Sequence, residues 1–179
     1  MTRSLAARLV LSGIAVVVWG YGYRYDAERM RLVAIALLAL ACDLVLAHEG
    51  AELGFPDVRL GFVPAMVMTM LRRAVGEKHA ADLVMTGRIV SAEEAERIGL
   101  VSRVVPAASF DEDINATLEQ VGRSPATSLA LTKWLFYKLD ALTFEDGIAA
   151  GVVTNVEARA TEDFKAGVAR FARDGREDR

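Results

Sequence analysis

Ala51-Glu52-Leu53-Gly54-Phe55-Pro56-Asp57-Val58-Arg59-Leu60-Gly61-Phe62-Val63-Pro64 separates an unusually apolar front of the chain from an ordinarily punctuated rear. Pro64 opens a helix, because proline has the φ of a first helical residue and lacks only an N–H that would be unpaired there. Gly76 suits the C-cap of that helix. A second helix is expected from Glu77 to Met85, stopping at Thr86-Gly87. Ser91-Ala92-Glu93-Glu94 is a capping box, in which serine and glutamate satisfy each other's orphan amides. The helix it starts ends at Gly99, and Leu100-Val101-Ser102-Arg103-Val104-Val105 reads as a strand closed by Pro106. The spacing of Met66, Met68 and Met70 suggests either core filling or a pliable apolar pocket.

Upstream, Arg8 is the only charge between Leu5 and Tyr23, and Asp43 the only one between Leu32 and Ala47. A charged patch, Arg24-Tyr25-Asp26-Ala27-Glu28-Arg29-Met30-Arg31, lies between them. The first apolar run, Leu9 to Trp19, is about 11 residues against the ~20 that span hydrocarbon. The second holds Asp43, which is costly inside a bilayer. Buried elements of a packed core therefore fit better than a membrane hairpin over residues 5–47, which stays as the alternative. Ile14-Ala15-Val16-Val17-Val18 is β-branched enough for an interior parallel strand. Leu37 to Leu46 reads as a helix feeding a second buried strand.

Downstream, the last third reads as helices. Ser124-Pro125 is an N-cap followed by proline at the first helical position. Leu131, Trp134, Leu135, Leu139 and Leu142 recur at helical spacing, as do Ile148, Val152 and Val156, and then Phe164, Val168 and Phe171. The chain has 179 residues, 53% of them hydrophobic, and a mean hydropathy of +0.27, which excludes intrinsic disorder. A formal net charge of −3 supplies no basic field for nucleic acid. Cys42 is the single cysteine, so neither an intramolecular disulfide nor a cysteine-built zinc module is possible, and no metal site is expected. Cys42 reads as a small buried hydrophobe. His48 and His79, without partners in sequence, read as surface histidines.

The quoted stretch, taken with Leu71-Arg72-Arg73-Ala74-Val75-Gly76, Leu83-Val84-Met85-Thr86-Gly87-Arg88, Ala92-Glu93-Glu94-Ala95 and Gly99-Leu100-Val101-Ser102-Arg103-Val104-Val105-Pro106, resembles the enoyl-CoA hydratase/isomerase (crotonase) family. Ala39 to Ala47 looks like the helix-to-strand stretch that precedes this signature. Ser124-Pro125 with Leu131-Thr132-Lys133, and Thr161 to Phe171, match the family's helical C-terminal portion. The resemblance implies an α/β fold, a partial ββα spiral over residues 1–122 followed by a helical trimerisation region over 123–179. It further implies an acyl-CoA substrate with no separate cofactor, a homo-trimer or hexamer, a role in fatty acid metabolism, and a cytoplasmic location away from membranes and nucleic acid. Two backbone N–H groups would hold the thioester oxygen and stabilise an enolate, donors already aimed at the charge that develops.

Residue by residue, the family's catalytic carboxylate falls on Asp57, one methylene shorter than the usual glutamate; the plain alternative is a turn acid after Pro56. Phe62, Val63 and Met66 would border the acyl pocket, and Lys133 would meet a CoA phosphate or simply face solvent. The second hydratase glutamate, six residues before Asp43, is here Leu37. The positions of the Gly-rich oxyanion loop read Leu32-Val33-Ala34-Ile35-Ala36. Gly20 and Gly22 stand about where that loop begins, but Tyr23 to Arg31 are foreign to the pattern. With Ile14 matched to the strand before the loop, the opening ββα turns are expected to be missing, leaving about the last two-thirds of the fold. Two activities follow as expectations: a hydratase or isomerase working through Asp57, or a catalytically incompetent relative.

Overall fold

The computed structural model describes residues 16–19 and 39–177. Within these the chain divides into two compact units, one ending at Thr117 and the other beginning at Leu118. In the first, strands β1 (Val16–Trp19), β2 (Leu44–His48) and β5 (Arg103–Val105) form a parallel sheet in the order β1-β2-β5. Val16 pairs with Leu44 and Trp19 with Ala47, while Leu46 pairs with Arg103 and His48 with Val105. Val45, Leu46, Ala47 and His48 are all buried in succession, the signature of a parallel strand covered on both faces. The strand expected near Val16–Val18 is present, at one end of the described sheet, and the buried strand expected with the Leu37–Leu46 stretch is Leu44–His48. No helix among the described residues is long and apolar enough to cross a membrane. Two parts of the 5–47 stretch, Val16–Trp19 and Leu44–Ala47, are instead paired strands.

Strands β3 (Glu52–Gly54) and β4 (Ile89–Ser91) form an antiparallel ribbon, with Gly54 opposite Ile89. A side chain on Gly54 would stand 3.0 Å from the Arg88 carbonyl oxygen, so any larger residue there would force the ribbon apart by a few tenths of an ångström. Between the two strands, helix α1 runs from Ala65 to Thr86 with a break at Gly76 (φ 76°, ψ 169°). The two helices expected here are thus both present, meeting at Gly76, whose left-handed φ is where the C-cap was placed. Val67, Leu71 and Val75 are buried at intervals of four, and the buried face resumes at Ala80, Leu83 and Val84. The break adds a residue to the interval and turns the second half's apolar face back to the core. Phe55, Leu71 and Leu83 are among the largest completely buried side chains.

Helix α2 (Ala92–Arg97) begins as the sequence implies: Ser91 Oγ accepts a hydrogen bond from the Glu94 amide at 3.3 Å. The other half of the capping box differs, because Glu94 turns both carboxylate oxygens to the Arg88 guanidinium at 2.8 and 3.1 Å. Arg88 also donates to Asp82 at 2.7 Å. These hydrogen bonds hold the Glu94 carboxyl below the usual carboxylate range and push the Arg88 guanidinium upward. Ser91→Ala is expected to cost about 1 kcal/mol in urea denaturation; an unchanged midpoint would show that the ion pairs alone fix this turn. The expected strand from Leu100 starts only at Arg103, because the Leu100 and Val101 amides still donate to the Ala95 carbonyl and complete the helix end. Ser102 then grips β2: its amide donates to Val45 O at 2.8 Å and its Oγ accepts from Val45 N at 3.0 Å.

Helix α3 (Phe110–Gly122) leads into the second unit, which holds α4 (Ala126–Lys138), α5 (Phe144–Ala160) and α6 (Glu162–Glu177). The cap of α4 is Pro125 itself, with no side-chain hydrogen bond, whereas Ser124 donates its amide to Val121 O. The expected Ser124 cap is thus displaced, its amide serving the preceding helix. Thr143 and Thr161 act as side-chain caps of α5 and α6, accepting from Asp146 N and Phe164 N. Phe144, Ile148, Val152 and Val156 lie along one face of α5 and are all exposed. With Leu135 and Leu139 they line an open apolar groove of about 780 Å³.

Candidate active site

A tight 3₁₀ turn, Pro56–Leu60, follows β3 and carries Asp57. Pro56 sets the φ of the turn's first residue, and Gly61 ends it in the left-handed region (φ 75°) that glycine adopts without a steric cost. The Asp57 carbonyl accepts from the Phe62 amide at 3.1 Å, and the Gly61 amide reaches the Val58 carbonyl at 3.1 Å. The backbone under the aspartate is fixed from its C-terminal side. Phe55, with no exposed surface, anchors it from the other.

Asp57 is only 6% exposed, and its Oδ2 is buried without a hydrogen-bond partner, the one such side-chain oxygen among the described residues. Buried polar oxygens are nearly always satisfied, because leaving one bare costs about 1–3 kcal/mol. Such an oxygen keeps its lone pairs free to accept a hydrogen bond.

Phe62, Val63 and Met66 are 67%, 65% and 70% exposed, and Val58 is exposed beside them. These apolar side chains are clustered in sequence around the turn and the first turn of α1, so Asp57 and the three expected pocket residues belong to one local structure. Lys133 belongs to the second unit, on α4, where its Nζ lies 5.8 Å from the centre of the Tyr137 ring. Lys138 sits 4.4 Å over Trp134 on the same helix, one turn along. The oxyanion-loop positions, Leu32–Ala36, and Leu37 lie outside the described residues.

His48 is a correction. Expected at the surface, it is 7% exposed at the end of β2, its ring edge-on to Phe110 at 5.2 Å. Its Nδ1 accepts from the Gly50 amide at 2.9 Å. The sequence signal was its place at the end of an apolar strand, two residues before Gly50. His79, by contrast, is exposed on α1. Cys42 is partly buried and packs against the core, broadly as expected. Sequence reasoning also passed over Arg59 and Gly87, which brace the Asp57 turn: Arg59 Nε donates to Thr86 O at 3.3 Å.

Residues 34–178 match the enoyl-CoA hydratase/isomerase family. A Thermus thermophilus protein bearing an enoyl-CoA hydratase name is 46% identical over 134 residues, covering 75% of this chain and 53% of that protein. A probable enoyl-CoA hydratase of Mycobacterium bovis is 37% identical over 139 residues, covering 75% and 52%. Among solved structures, an enoyl-CoA hydratase/isomerase from Cupriavidus metallidurans superposes with a TM-score of 0.77 at 25% identity, over 96% of this chain and 62% of that one. Human enoyl Coenzyme A hydratase domain-containing protein 3 gives 0.75 at 27% identity, over 79% and 56%. The chain spans about half the length of the curated relatives it matches. With its paired strands, helical C-terminal unit and the Asp57 turn in the matched region, the chain belongs to the enoyl-CoA hydratase/isomerase family and has the crotonase fold.

Proposed function

We propose that this chain acts on an acyl-CoA thioester by proton transfer at the acyl carbons, with Asp57 as the acid/base group. The observation that carries this reading is the buried, unpartnered Oδ2 of Asp57, on a turn followed in sequence by the exposed apolar Phe62, Val63 and Met66. In this role Asp57 removes a proton from the carbon next to the thioester, leaving negative charge on the thioester oxygen as an enolate. The same group, now protonated, returns the proton further along the acyl chain; in hydration it instead takes a proton from the water that adds at the β-carbon and gives it to the α-carbon of the enolate so formed. Phe62, Val63 and Met66 receive the apolar acyl chain, and burying them against it supplies binding energy. Lys133 meets a CoA phosphate, in a cytoplasmic homo-trimer or hexamer built on the exposed apolar face of α5.

The test is solvent exchange: the protein is mixed with crotonyl-CoA and butyryl-CoA in deuterated water, and the thioesters are followed by mass spectrometry. Deuterium entering the carbon beside the thioester, or hydration of crotonyl-CoA, is the expected result. Absence of both overturns the reading. A second reading, the catalytically incompetent relative, has its own support in Leu37 and in the glycine-free Leu32–Ala36. It is favoured if calorimetry also finds no affinity for CoA.

A further inference from the structure

The Asp57 turn does not rest on its own hydrogen bonds alone. Its underside lies on the bend Thr86-Gly87-Arg88 at the end of α1. Gly87 has φ 60°, and a Cβ there would stand 3.3 Å from Pro56 Cα, 3.2 Å from Arg59 Cγ and 3.1 Å from Arg59 Nε. Those distances are shorter than ordinary van der Waals contact, so a side chain there would press on the turn. The Pro56 backbone is thus seated directly on the glycine, one residue from Asp57. Arg59 completes the seat from the other end of the turn, its stem lying along Gly87 and its Nε donating to Thr86 O.

The seat is itself anchored. Gly87 N donates to Leu83 O at 3.1 Å, and Thr86 Oγ1 both donates to Asp82 O and accepts from Arg88 N. Arg88 is then held between Asp82 and Glu94. Fixed points on α1 and α2 therefore lead through Gly87 to the turn that carries the carboxylate.

We infer that Gly87 and Arg59 are positioning residues for Asp57, holding Oδ2 at its buried station; this rests on the acid/base reading of Asp57 given above. A misplacement of about 1 Å at a reacting group costs on the order of a hundredfold in rate. Asp57 already has a side chain one methylene shorter than a glutamate, so its reach depends on where the turn sits.

The experiment compares the full chain with Arg59→Ala, Arg59→Lys and Gly87→Ala in two measurements, crotonyl-CoA hydration kinetics and the carboxyl carbon resonance of Asp57 in the free protein. Arg59→Ala and Gly87→Ala are expected to lower kcat by about a hundredfold while KM stays within about twofold, the pattern of an interaction that matters only in the transition state. Arg59→Lys, which keeps the stem on Gly87, restores most of kcat. The Asp57 resonance moves in both alanine variants and returns in Arg59→Lys. An unmoved resonance in Arg59→Ala overturns the inference, whatever happens to turnover. If the parent chain turns nothing over, the acid/base reading fails, yet the resonance, which needs no substrate, still decides the positioning: moved supports it and unmoved overturns it. Should Gly87→Ala not fold, the two Arg59 variants decide by the same criteria.

Discussion

Asp57→Asn is expected to lower acyl-CoA turnover by about 10²–10⁴-fold, the usual contribution of a positioned acid/base group, without lowering the melting temperature. The two expectations come from one observation. In the folded chain Asp57 Oδ2 is buried and accepts nothing, so it contributes no hydrogen bond that the amide would remove. A buried polar oxygen without a partner is a cost to the fold of about 1–3 kcal/mol, and such costs persist where function requires them. Asparagine keeps the size and shape of the side chain, leaves the carbonyl hydrogen bond from the Phe62 amide intact, and removes the ability to take up a proton. A turn acid with a structural role behaves differently: its neutralisation lowers the melting temperature while turnover follows stability. Steady-state assays beside thermal melts of the two proteins separate the cases. Unchanged turnover in Asp57→Asn sinks the acid/base assignment.

Much of the fold was legible because local signals and burial agree. The β-branched Val16-Val17-Val18, the Ser91 cap and the glycines at 76 and 99 each act through the backbone over a few residues, and each is where the spacing put it. The misreadings arose where a tertiary partner outbids the local rule. Glu94 fits a capping box by spacing, but a two-pronged, charge-assisted contact with Arg88 draws its carboxylate away. Leu100 and Val101 are strand-like in composition, yet their amides finish the preceding helix. His48 looked like a surface residue because its partners, the Gly50 amide and the Phe110 ring, come from a turn and from a helix far along the chain. The site divides in the same way. Asp57 and its apolar neighbours lie within one short stretch and could be named from it. The seat formed by Gly87 lies 30 positions later, and only the close approach to Pro56 reveals it.

Phe55→Ala is expected to destabilise the first unit by about 3–5 kcal/mol, whereas Phe55→Leu should cost less than about 1.5 kcal/mol. Phe55 has no exposed surface and belongs to the core shared by β2, β3, α1 and α2. Truncation to alanine removes the ring's contacts and leaves a cavity that the surrounding β-ribbon and helix can only partly fill. Against a total stability of roughly 5–15 kcal/mol for a domain, a loss of that size unfolds a substantial fraction of molecules under mild denaturant. Leucine fills most of the space and keeps the chain folded. The position of the ring adds a second consequence: Phe55 is the residue on which the Pro56–Leu60 turn begins, two before Asp57. A small shift of its backbone moves the carboxylate as well as the core. Urea titrations of the three proteins measure the first effect, and turnover of the leucine variant at low denaturant measures the second. An alanine variant within 1 kcal/mol of the parent would mean that Phe55 does not anchor the turn. A leucine variant with near-parent stability but reduced turnover would show that the ring serves the placement of Asp57 as well as the packing of the core.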